Sequence, residues 1–309
     1  MRPRLLLRGA LCATLAVLTA ACAPEPPLVI GRPGTSAGGE FRHPRGVAVS
    51  EHGLAVLDRT GRLQFFDLDG TFRSLLTITP GDVRRGHPVG LAWLHDGRIA
   101  IADTHQSRVR LIDPATAAEQ VLGDYGLEPG QYLCPQRIAA DGAGRLIVSD
   151  HGMGSTNRIQ VVQLDGTAVR VFGGPAPADG GLVRPMGVVA LPGGDVLVSD
   201  QRAGIVRYAA DGACRGTLPG WPFGDEVLVY GLARSPDGTL YCTDLEGHRV
   251  LRLAADGTPT GVLGGRGSEP GLFLEPWDVA WYAGFLYVAD MGNHRVQRFA
   301  AERADWREP

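Results

Sequence analysis

The 309 residues are enough to bury a sizeable core in one all-β domain, and 44% of them are apolar. All 30 basic residues are arginine, which excludes a lysine Schiff base, a phosphate-loop lysine and a kinase-type lysine. Without the first 21 residues, 27 arginines face 33 acidic residues, an acidic balance that argues against a nucleic-acid partner.

In chain order, the first element is "MRPRLLLRGALCATLAVLTAACA", with an arginine-rich start, an apolar run from Leu11 to Leu18 and small residues before Cys22. The run is too short to cross a bilayer as a mature helix, so residues 1–21 are expected to be an export signal. "LTAAC" followed by "APEPP" resembles a bacterial lipoprotein signal, although Thr19 stands where leucine is usual and Leu18 lies one place earlier. The resemblance implies lipid on Cys22, a tether over 22–28, and a membrane-anchored protein facing the periplasm or the cell exterior. Cleavage after Ala23 is the competing reading, disfavoured by Pro24 just beyond the cut.

From residue 29 the chain repeats itself. Apolar runs end on Asp58, Asp103, Asp150, Asp200, Asp244 and Asp290, separated by 45, 47, 50, 44 and 46 residues. Each unit opens on a short strand, "PRGVAV", "PVGLAW", "PQRIAA", "PMGVVA", "VYGLAR" or "PWDVAW", and turns at a glycine before the strand that ends on aspartate. A third strand begins near Arg62, Arg108, Arg158, Ile205, Arg249 and Arg295, and in four units it meets an Asp-Gly hairpin turn. The sixth unit lacks a fourth strand, whereas "VIGRPGTSAGGEF" (29–41) lines up with "VLGGRGSEPGLF" (262–273) and "VLGDYGLEPGQY" (121–132). The expected fold is therefore all-β: a six-bladed propeller of four-stranded antiparallel blades over 29–302, its last blade closed by the N-terminal strand. Residues 303–309 are expected to be a polar tail, and the chain a monomer.

The Pro-x-Gly-(Val/Leu)-Ala openings, the strands ending on aspartate, and the links Asn293–Val296, His248–Val250 and Ser107–Val109 resemble NHL repeats. That family includes protein- and RNA-binding modules, extracellular sensors and relatives of the peptidylglycine amidating lyase, so the resemblance implies a fold and leaves function open. The aspartates recur in all six units and are expected to be structural, as are the link histidines His105, His248 and His294, which stand in a repeated loop.

Function must then come from positions where the units differ. Starts of the innermost strands and the links after each aspartate share one rim of the channel, and Arg45, Arg59, Arg137, Arg202, Tyr230, Trp277 and Asp278 are the expected binding residues there. Guanidinium groups beside aromatic rings suit a carboxylate, a phosphate or an acidic peptide. The amidating lyase holds zinc through histidines at inner-strand starts, and none stands there in this chain; His43 and His87 lie one residue before the proline. Lactonase-like propellers hold calcium partly through asparagine, and here only Asn157 and Asn293 exist, both in links. Neither a cofactor nor a metal is expected. Cys134, Cys214 and Cys242 fit no metal site; a Cys214–Cys242 bridge stays open beside the default of small buried side chains. The expectation is a non-catalytic scaffold of the cell envelope, holding a protein partner or small anionic ligand. A propeller enzyme related to the amidating lyase, or a lactonase-like hydrolase, is the alternative.

Overall fold

The computed structural model describes residues 23–78, 88–152, 156–174, 181–223 and 227–309, so Cys22, His87 and the signal segment 1–21 lie outside the described residues. Six four-stranded antiparallel sheets form a ring. Blade 1 runs through Pro44–Ser50, Gly53–Asp58, Arg62–Phe66 and Phe72–Thr77. Blades 2 to 5 repeat the pattern from inner strands Gly90–Trp93, Pro135–Ala140, Pro185–Ala190 and Val229–Arg234. Blade 6 contains Pro276–Tyr282, Phe285–Asp290 and Arg295–Ala300, and its outer strand is Leu28–Ile30, which pairs Leu28 with Arg298 and Ile30 with Val296. The N-terminal strand thus closes the ring and covers an edge that would otherwise be open to another chain.

The core lies between blades, one apolar cluster to each interface. At the closing seam Ile30, Phe41, Val47, Phe66, Tyr287 and Val296 pack together, and Phe41 is fully buried. Phe41, Tyr132 and Phe273 occupy equivalent places at the ends of the three aligned loops, each with no exposed surface. Arg-x-Gln pairs hold those loops: Arg62 and Gln64 donate to the Glu40 carbonyl, Arg158 and Gln160 to that of Gln131, and Arg295 and Gln297 to that of Leu272.

The strand-ending aspartates are almost wholly buried and act as acceptors. Asp150 takes amide hydrogens from Leu133 and Cys134 and the Arg158 guanidinium at 3.1 Å. Asp290 takes the Leu274 amide, the Asn293 side chain, the Arg295 guanidinium at 2.7 Å and the Gln297 amide. Charged acceptors of this kind contribute about 1.5–3 kcal/mol per hydrogen bond. The link histidines join neighbours: His294 Nδ1 accepts from the His43 amide of blade 1, and His248 Nδ1 from the Glu275 amide, both at 3.0 Å.

Residues 303–309 do not trail free. Trp306 lies beside Tyr241 and under the Arg252 guanidinium, and Arg307 exchanges two 2.9 Å backbone bonds with Val262, extending the outer edge of blade 5. Cys134, Cys214 and Cys242 are all unbridged.

Candidate functional site

Every inner strand except that of blade 2 starts with a register shift against its neighbour, between Pro44 and Gly46, Pro135 and Arg137, Pro185 and Val188, Val229 and Leu232, and Pro276 and Asp278. Such bulges re-aim side chains next to functional sites. The residue after the bulge position is glycine in four blades because the inner strands converge: a Cβ on Gly46 would stand 2.6 Å from the Val89 carbonyl oxygen, and one on Gly231 2.7 Å from the Asp278 Cα. Blades 3 and 6, opposite each other in the ring, carry Arg137 and Asp278 instead.

These two residues close the channel below its mouth. Arg137 Nη1 donates to the carbonyls of Val89 (2.9 Å) and Arg45 (3.3 Å), and Nη2 to that of Trp277 (3.0 Å), 3.6 Å from the Asp278 carboxylate. Asp278 accepts the Val47 amide at 3.1 Å and its neighbour's amide at 3.0 Å. Burial pushes the Asp278 carboxyl up, against the pull of Arg137 and the two amides. Beneath the pair, a blind bore of about 350 Å³ opens at the opposite face.

Hydroxyl groups continue the seam through blades 3 to 6. Ser149 Oγ accepts the Arg137 amide (3.0 Å) and donates to the Met186 carbonyl (2.6 Å); Ser199 Oγ accepts the Gly187 amide (2.7 Å) and donates to the Tyr230 carbonyl (3.1 Å). Thr243 repeats the step between the Gly231 amide and the Trp277 carbonyl. Sequence reasoning missed these three, although each stands just before the strand-ending aspartate where Leu57, Ala102 and Ala289 occupy the other blades.

Of the expected binding residues, the structure brings Arg45, Trp277 and Tyr230 together in one wall of the mouth. The Arg45 guanidinium lies 4.8 Å over the Trp277 ring, whose centroid is 4.6 Å from that of Tyr230. Arg59 is exposed beside this wall, Arg202 is exposed on blade 4 away from it, and Arg137 and Asp278 are buried beneath. Buried Arg45 Nε and Trp277 Nε1 have no hydrogen-bond partner. Across the ring, blades 3 and 4 carry Gln136, His151 and Gln201 at the corresponding strand starts and links, with Met186 buried beside them. Burial, then the Arg184 cation, lowers the His151 pKa against the pull of Asp150 and Asp200, leaving a neutral imidazole at neutral pH. His43, behind Arg45 and edge-on to His294 at 4.4 Å, is lowered by burial, then by His294, Arg59, Arg45 and Arg42. Among the described residues no three His, Cys, Asp or Glu side chains converge as metal ligands.

No known family profile matches the sequence. The ring is similar to virginiamycin B lyase from Staphylococcus aureus, at 13% identity and a TM-score of 0.63 over 89% of this chain and 98% of that one. A gluconolactonase from Xanthomonas campestris aligns at 17% identity and 0.63 over 90% and 96%. A chain of a nidogen/laminin complex aligns at 22% and 0.62 over 81% and 91%. Identities this low establish the shared fold alone. They nevertheless correct the expectation of a non-catalytic scaffold: a lyase and gluconolactonases are built on this ring, so the fold itself is no argument against catalysis. The chain is a six-bladed β-propeller whose solved counterparts include enzymes.

Proposed function

We propose that the protein is a propeller enzyme that hydrolyses an ester or lactone bond in an anionic substrate at the channel mouth. The observation that carries the reading is the division of that mouth into a wall with uncommitted cationic and indole donors, Arg45 and Trp277, and a facing wall with a neutral imidazole, His151. Ester hydrolysis needs both. His151 takes a proton from water, whose oxygen bonds to the carbonyl carbon while the carbonyl oxygen takes the charge. Collapse of this intermediate breaks the ester C–O bond, and the departing alkoxide recovers the proton from the imidazolium. Arg45, stacked on Trp277, holds the substrate's anionic group and so fixes the ester against the base. In the similar virginiamycin B lyase, a histidine-to-alanine variant is catalytically inactive, which supports looking for a histidine here.

The test is a panel of chromogenic esters and lactones with and without a carboxylate. The carboxylated members should turn over, His151→Ala should lower kcat by about 10²–10⁴-fold, and Arg45→Ala should mainly raise KM. Turnover of none, or turnover untouched by His151→Ala, overturns the reading; a conjugated alkene among the products shows elimination instead of hydrolysis. We also read the units as NHL-type repeats and residues 1–21 as a lipoprotein-type signal with lipid on Cys22, a reading that puts the reaction in the cell envelope; Cys22→Ser should release the protein from membranes, and unchanged fractionation would refute this.

A further inference from the structure

Gln201 is the first residue after Asp200 in blade 4, and it is only 8% exposed. Its backbone amide donates to the Arg184 carbonyl at 3.2 Å, and the Arg184 guanidinium reaches its side-chain oxygen at 3.3 Å. A guanidinium can only donate, so the oxygen must face Arg184 and the NH₂ group must point away from it. That NH₂ is buried and has no hydrogen-bond partner. A buried donor left unmatched by the protein is costly to a fold, so an acceptor that reaches it from the mouth, whether water or ligand oxygen, gains a hydrogen bond there. The adjacent Gln136 cannot serve, because its NH₂ is already directed at the Cys134 carbonyl and thiol, at 3.3 and 3.4 Å.

We propose that Gln201 is a specificity-determining donor that holds an uncharged acceptor oxygen of the substrate, most simply an amide or ketone carbonyl, while Arg45 holds an anion on the opposite wall. This deepens the reading of the mouth as the active site and rests on it. The substrate class it names is bifunctional: an acyl compound with a carboxylate or similar anion at one end and a neutral carbonyl at the other. Arg45 offers the anionic end a guanidinium stacked on Trp277, whereas on the facing wall the Arg184 guanidinium is directed to the Gln201 oxygen and the Gln201 NH₂ is left as a neutral donor. Arg184 acts as a positioning residue with two effects, orienting Gln201 and lowering the His151 pKa.

The experiment uses two inert probes of equal chain length, N-acetylglycine, which has the carboxylate and an amide carbonyl, and pentanoate, which has the carboxylate alone. Calorimetric titration of the wild type should show N-acetylglycine binding about tenfold more tightly. Gln201→Ala, and Gln201→Met, which nearly keeps the size but removes the donor without adding a charge, should abolish that preference by bringing N-acetylglycine down to the pentanoate affinity. Arg45→Ala should weaken both probes alike. Equal binding of the probes by wild type, or a preference that survives both Gln201 variants, overturns the Gln201 assignment and leaves the Arg45 site standing. Binding indifferent to Arg45→Ala, or no binding of either probe, overturns both.

Discussion

The layer of strand-ending aspartates and the mouth just inside it are built from the same strands, yet they treat polar groups in opposite ways. Around Asp150 and Asp290 the carboxylates are saturated by amides, arginines and a glutamine, and the arrangement recurs from blade to blade. At the mouth Arg45, Trp277 and Gln201 keep donors without partners, and no blade repeats another. The difference separates two tasks: the repeated, matched layer holds the ring, while the unrepeated, unmatched one has capacity left for a ligand. Substitutions in the first should appear in stability, and those in the second in binding and turnover.

Three measurements can break that division. The largest effect is expected at Asp290→Ala, which strands the Arg295 guanidinium and three other donors in a buried setting. A loss of about 3–5 kcal/mol should follow in chemical denaturation, and a loss under about 1 kcal/mol would mean that the layer does not hold the ring. Next comes the Arg137–Asp278 pair. Arg137→Met alone leaves a buried carboxylate facing apolar walls, so it should destabilise more than the double variant Arg137→Met/Asp278→Leu, by about 1–3 kcal/mol. Additive losses would show that the two are not coupled. The smallest effect concerns pH. His43 and His151 are held below the ordinary histidine pKa, so the unfolded chain binds more protons than the folded one as pH falls through that range. Stability should therefore rise with pH across it and decline on acidification, and the double variant His43→Gln/His151→Gln should flatten the slope. A slope unchanged by that variant would place its origin elsewhere.

The ring was legible in the sequence because its cause is local and repeated. Alternating strands, turn glycines and the buried aspartates recur with the period, and the match of 29–41 to 262–273 is enough to indicate the closing strand, Leu28–Ile30. The mouth was legible only in part. Strict alternation cannot detect the bulges at Pro135–Arg137 and Pro276–Asp278, and a one-residue shift exchanges which side chain reaches the mouth and which turns inward. Arg137 and Asp278, read as rim residues, therefore sit beneath it, facing each other from opposite blades. The sequence did carry a sign of this, since the other four blades have glycine at that position. The orientation of Gln201 depends on an arginine seventeen places earlier, a contact that no spacing announces. Trp306 was likewise hidden in a segment whose composition is mostly polar.

The closing strand has a topological consequence. The Glu25 amide donates to the Arg303 carbonyl at 2.9 Å, and their side chains pair at 2.8 Å, so the two described ends of the ring already touch. A short linker between them and a cut at another turn, such as Asp211–Gly212, would give a circular permutant with each inter-blade contact kept. The numbering of the blades would change and the order around the axis would not, so a permuted gene should still encode the same mouth.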